Sequence, residues 1–299
     1  MKILITLCEG PHDVAFLYRI LLTEGFVNCP WKLSEFPAPL NSFLSRQATG
    51  ENIDDRKLED VRNRFLPSEA LIRNDKQLVL LYAIGGDGKK ELRGQLVNGI
   101  RSFTAVTDPK AFTPTPAQDK YAIFYLFDAD DKGIEKRLSE IESELKEALS
   151  KEGTHVEIDL PANGSKFSHE NIDYGAYIFA RQNENCGKLE DILLPMMRQG
   201  NEKIFEDADA YLTRHYDETR LCRLKIKPNE EGIITEKRQS KKGSKYDALK
   251  SAIGIAGELQ NSSSTNSVCI KHSDYLTLSK IHNDAACQEI AGAFNDLLS

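Results

Sequence analysis

Three apolar runs, too short for helices and too uniform for surface strands, constrain this chain most. "ILITL" (3–7), "LVLLYAI" (78–84) and "YAIFYLF" (121–127) are hydrophobic without alternation. Such runs are buried on both faces, as strands inside a parallel sheet are. Each leads through a turn containing Gly or Asp into a helix-periodic stretch. After the first, Val14, Leu17, Leu21 and Leu22 share one helical face and Gly25 suits the helix end. After the second comes "ELRGQLVNGIRSF". After the third, Ile134, Leu138, Ile141, Leu145 and Leu149 line one face, with Gly153 near the stop. "HVEIDL" (155–160) and "YGAYIFA" (174–180) read as further strands, and "GKLEDILLPMM" as a short helix. Repetition of strand, crossover helix and strand predicts an α/β fold, a mostly parallel sheet with flanking helices on both faces.

The remainder is less regular. Prolines at 30, 37, 39 and 67 mark 29–76 as an insertion, with a helix expected near "RKLEDVRNRFL". Beyond about 200 the alternation fades. Helical "NEKIFEDADAYLTRHY" precedes a charged stretch near 225–245. A helix from 245, an "NSSSTN" loop, the short apolar "SVCI" and a terminal helix "AACQEIAGAFNDLL" follow. The expected organisation is an α/β domain over 1–200 and a mostly helical C-terminal extension over 201–299. No apolar run reaches the ~18 residues of a membrane span. "MKILITL" leads straight into the folded pattern, and the six scattered cysteines lack metal spacing. Both favour a cytoplasmic protein with reduced thiols. A net charge of −7 argues against coating nucleic acid by bulk electrostatics. It leaves room for an enzyme that meets phosphates through metal ions and a local basic patch.

Acids gather where parallel sheets bind ligands, at the carboxyl ends of strands. Glu9 follows the first strand, Asp128 and Asp130 the third, and Glu190 with Asp191 lie beyond strand 174–180. Asp13 stands four residues after Glu9, so both can face one cleft. Carboxylates packed together repel and resist ionisation unless a cation neutralises them. Singly, each acid also suits a helix cap or a solvated turn. Jointly they point to a site for a hard divalent cation, Mg²⁺ or Mn²⁺.

These residues carry a resemblance. "CEGPHDVAFL" resembles the E-G-x-x-D opening of a TOPRIM domain and "YLFDADD" its D-x-D motif. "GKLEDILLP" is similar to the L-E-D segment of the OLD-nuclease-like branch and of small stand-alone members. The resemblance covers about 1–200 and implies a TOPRIM/Rossmann-like parallel core with Mg²⁺-dependent phosphodiester chemistry. Glu9 would serve as metal ligand or acid/base, Asp13, Asp128 and Asp130 as metal ligands, and Glu190 or Asp191 would hold a second ion. OLD-type enzymes also use a basic residue beyond the acids, for which Lys245 is the expectation. They carry an ATPase on the same chain; here a separate ATPase partner, in phage defence, is the corresponding hypothesis. The long 29–76 segment departs from the most compact members.

"AIGGDGKKE" (83–91) fails as a P-loop, since the glycine spacing is short and Lys90 stands where Ser or Thr belongs. Its backbone and Lys89 could still meet a phosphate, or the stretch is a plain turn. "DADDKG" fails as a calcium loop at Lys132 and Ser139. "EKRQSKKGSKYDALK" concentrates Lys237, Arg238, Lys241, Lys242, Lys245 and Lys250, the best phosphate-contacting candidate or else a solvated loop. His12 is a further candidate or an ordinary helix-start residue. The expected function is a Mg²⁺-dependent nuclease acting on DNA or RNA. The alternatives are a non-catalytic TOPRIM-like nucleic-acid-binding or regulatory subunit, and a metal-dependent phosphatase.

Overall fold

The computed structural model describes residues 1–49, 66–104, 119–150, 156–218, 223–239 and 246–299. The chain opens with β1 (Lys2–Cys8), α1 (Pro11–Thr23), β2 (Val27–Asn28) and α2 (Leu40–Thr49). Next come β3 (Glu69–Arg73), β4 (Gln77–Ala83), α3 (Lys90–Thr104), β5 (Lys120–Asp128) and α4 (Ile134–Leu149). β6 (Lys166–His169), β7 (Ile172–Phe179), α5 (Leu189–Arg198) and α6 (Glu202–His215) follow. The last part holds β8 (Arg223–Pro228), β9 (Ile234–Gln239), α7 (Ala248–Gln260), α8 (Asn266–His272), α9 (Leu278–Asn283) and α10 (Ala285–Leu297).

Seven strands form one sheet in the order β2-β3-β4-β1-β5-β7-β6. The apolar runs supply its centre: β1 pairs parallel with β4 and β5, and β5 with β7. Antiparallel β3 and β6 extend the two sides, with β2 beyond β3. Strand pleating sends alternate residues to opposite layers. Leu4, Val79, Phe124 and Phe179 face a layer built from α1, α5 and the C-terminal helices. Ile5, Leu80, Ile123 and Ile178 face a layer built from α2, α3 and α4. Each such side chain withdrawn from water contributes about 1.5–3 kcal/mol. The C-terminal segment shares this core, since Phe294 of α10 meets Phe124 edge-on with ring centroids 5.2 Å apart.

α1 shows how the sequence ends an element. Gly25 adopts φ +81, and Phe26 donates its N–H to the Leu21 carbonyl while burying its ring. That is a glycine-closed helix end with its apolar contact.

One expectation changes. "HVEIDL" is no strand over its described residues, although Val156, Ile158 and Leu160 are all buried. Alternation put those side chains into the core, but the edge position beside β7 belongs to β6. The C-terminal extension is mostly helical, as expected, and also holds one two-stranded ribbon, β8–β9. The helix expected near 56–66 falls almost wholly outside the described residues.

Candidate metal and active site

Parallel pairing of β1, β4 and β5 brings the ends of these strands to one edge. Glu9 follows β1 directly, and Asp128 closes β5. The Asp128 N–H donates to Glu9 Oε1 at 3.2 Å. The turn after β4 lies against the same carboxylate: a Cβ on Gly86 would stand 3.4 Å from Glu9 Oε2. Thus the glycine turn belongs to the rim of the acidic cleft. Exposed Lys89 lies across Gly85 in that turn.

Pro11 starts α1 and Asp13 occupies its third position, where its Oδ2 accepts the Gly10 N–H at 2.6 Å. The helix-cap reading and the cleft reading therefore hold together. Asp13 is buried, which together with the charges of Glu9 and Glu190 pushes its carboxyl up to about 7. The Gly10 N–H and Lys250 oppose that rise. Burial, then Asp13 and Glu9, push Asp128 up to about 8, although its Oδ1 accepts the Leu189 N–H at 2.8 Å.

Glu190 is the innermost acid, with its side chain only 1% exposed. Its Oε1 lies 3.2 Å from His12 Nδ1 and 3.5 Å from Lys250 Nζ, while its Oε2 is buried without a hydrogen-bond partner. An unsatisfied buried carboxylate oxygen costs several kcal/mol unless a cation or donor meets it (~1–3 kcal/mol even for a neutral group). The acids of three successive motifs converge: Glu9 and Asp13, Asp128, and Glu190.

Two expected ligands stand aside. Asp130, half exposed at φ +49, accepts from Arg137 Nη2 at 2.6 Å. That guanidinium also donates to the Asp128 carbonyl at 2.8 Å and approaches Glu9 Oε1 at 3.8 Å. Asp191 caps α5, accepting the Lys188 N–H at 3.0 Å and Arg181 Nε at 3.0 Å. Lys241, Lys242 and Lys245 lie outside the described residues.

From the C-terminal part of the chain, the lysine that reaches the acids is Lys250. Burial lowers its pKa, but Glu190, Asp128, Asp247 and Asp13 outweigh this and the ammonium is held above its usual range. The sequence contained a signal. Asp247 caps α7, which places Lys250 in the first turn, where the helix dipole disfavours a cation. A lysine there needs a nearby anion.

Gly187 fixes the approach to α5. It exchanges backbone hydrogen bonds with Asp130 at 2.7 and 3.0 Å, has φ +126, and leaves no room for a Cβ, which would lie 2.7 Å from the Arg181 nitrogen. Gly187→Ala is expected to cost about 1–3 kcal/mol, read as a lower melting temperature and a displaced Glu190.

Among the described residues, no group of three or more His, Cys, Asp and Glu side chains is already gathered tightly enough to hold one ion. The donor chemistry nevertheless fits a hard cation: all-oxygen, over-charged, partly unsatisfied.

No protein-family model and no curated protein matches this chain. Among solved structures it is similar to the crystal structure of a hypothetical protein from Pyrococcus horikoshii OT3. The TM-score is 0.51 at 14% identity, over 99% of this chain and 95% of that one. A likeness at that identity bears on the fold alone. No described helix is long and apolar enough to cross a membrane.

Proposed function

We propose that this chain is a TOPRIM-type, metal-dependent nuclease that hydrolyses nucleic-acid phosphodiester bonds. The observation that carries the reading is the convergence of Glu9, Asp13, Asp128 and Glu190, with Glu190 Oε2 buried and partnerless. Mg²⁺ or Mn²⁺ would be held by these four acids and would supply charge neutralisation and Lewis acidity toward the phosphodiester. Leu189 N–H orients Asp128, and Gly10 N–H orients Asp13. Lys250 offsets part of the acidic charge and is placed to meet the negative charge that develops on a reacting phosphate. Arg137, only 5% exposed, keeps Asp130 apart while leaning on Glu9.

A second reading, a non-catalytic TOPRIM-like nucleic-acid-binding subunit, is favoured by one observation: no three of these groups already surround a single point. Labelled DNA and RNA incubated with Mg²⁺, Mn²⁺ or EDTA separate the two. Metal-dependent cleavage is expected, with a loss of 100-fold or more in Asp13→Ala and in Lys250→Ala, on the scale of removing a preorganised charge. Metal should also raise the melting temperature of the parent but not of Asp13→Ala. Binding without cleavage would favour the second reading, and cleavage retained in Asp13→Ala would overturn the first.

A further inference from the structure

The ribbon β8–β9 stands outside the seven-stranded sheet and is solvent-exposed wherever its burial is described. Its register decides what each face displays, because residues directly opposite in an antiparallel pair share a face. Lys225 lies opposite Lys237, and Lys227 opposite Thr235. The other face pairs Leu224 with Arg238, Ile226 with Glu236 and Pro228 with Ile234. One face is thus lysine and threonine with no acid between, on a chain of net charge −7. Like charges directly opposite destabilise a pair, and an isolated two-stranded ribbon is marginal already. An anion on that face removes the conflict.

The described residues that flank the ribbon in sequence lead to the acidic site. Tyr216, after α6, stacks on Tyr246, before α7, with ring centroids 3.7 Å apart, so described residues on either side of the ribbon in sequence meet. Asp247 follows at once and pairs with Lys188, whose neighbour Leu189 binds Asp128. Three residues further, Lys250 reaches Glu190.

We propose that the arm carrying β8–β9 grips duplex nucleic acid through the face of Lys225, Lys227 and Lys237, holding it beside the carboxylate site. The inference rests on the reading of the chain as acting on nucleic acid and names the form it takes. A two-stranded ribbon has the breadth that a B-form major groove admits. Lysines two apart on a strand recur every ~6.7 Å, so one face presents a row of charges to a row of phosphates.

The test is anisotropy of a short fluorescent DNA duplex in EDTA, across 50–200 mM salt, with the full chain. Lys225→Gln/Lys227→Gln/Lys237→Gln should weaken binding tenfold or more and reduce the slope of log K against log salt by about 2–3, since each phosphate contact contributes ~0.9. Its melting temperature should not fall, because the replaced residues are exposed and mutually repelling. Ile226→Thr/Ile234→Thr, on the other face, should bind as the parent does. Unchanged affinity and slope in the lysine variant would overturn the proposal, as would loss of DNA binding only in the isoleucine variant. The Mn²⁺-induced rise in melting temperature is read separately. If it persists while the lysines prove irrelevant, the arm fails and the nuclease reading stands. If it is absent while the lysines govern DNA binding, the arm stands and the nuclease reading fails.

Discussion

Asp128→Asn is expected to raise the melting temperature of the metal-free protein at pH 8, by an amount that shrinks toward zero near pH 4. Under the proposed function, Mn²⁺ is expected to raise the melting temperature of the parent, and Asp128→Asn to remove most of that rise. Asp128 is pushed up to about 8 by burial and by Asp13 and Glu9. In the unfolded chain an aspartate ionises near ~3.9. Between those values the folded protein binds a proton that the unfolded chain has released. Stability is therefore lost as pH rises through the window from about 4 to 8. Asp13, pushed up to about 7, acts in the same direction over a slightly narrower window. Asparagine keeps an oxygen for the Leu189 N–H but has no charge to lose or repel. The upper limit is ~1.4 kcal/mol per pH unit, and each kcal/mol moves the melting temperature of a protein this size by roughly 2–4 °C. Melts across pH in EDTA, repeated with Mn²⁺, read both effects. A gain that does not vary with pH would show that the cost of ionising the buried, crowded acids is not what destabilises the metal-free state.

That acidic cluster was legible in the sequence only as three separate motifs. Their strand-end positions announced a cleft, because uniform apolar runs can only be inner strands of a parallel sheet. Which member of each motif enters the cleft was not legible. Asp128 and Asp130 are two residues apart, yet Arg137 draws the second away. Glu190 and Asp191 are adjacent, yet helix geometry turns one inward and makes the other a cap. Each choice depends on a partner distant in sequence or on a helix phase that no local pattern specifies. The edge strands were missed for a related reason. β6 is the polar segment "KFSH", joined to β7 through Glu170 and Asn171, both at positive φ without a glycine to mark the turn. β3 sits among the prolines of the 29–76 segment and pairs through Asn74 and Asp75, again at positive φ.

The acidic cleft is also held from behind by charges that no motif contains. Glu144 of α4 binds Arg93 of α3 through two hydrogen bonds, 2.9 and 2.7 Å, with the side chains 7% and 4% exposed. The guanidinium lies 5.0 Å above the Phe127 ring and donates to the carbonyls of Gly85 and Gly86, each at 2.9 Å. Those glycines form the turn against Glu9. Glu144→Ala is expected to destabilise the protein by about 3–5 kcal/mol, because it leaves a buried guanidinium without its counter-charge. Lys90, one turn away, pairs with Glu147 at 2.5 Å, but those side chains are 46% and 73% exposed. Lys90→Ala should cost less than ~1 kcal/mol, since solvent screens a surface pair. The shorter pair is thus the weaker one, and burial decides. Replacing Arg93 and Glu144 together by methionine and leucine should restore much of the stability, because apolar side chains of similar volume often substitute for a buried pair. It should not restore the rise in melting temperature that the proposed metal site predicts, because the Gly85 and Gly86 carbonyls lose their donor and the turn no longer holds Glu9 in place. Full recovery of both properties in the double variant would mean that the pair supports only the packing between α3 and α4 and has no part in shaping the cleft.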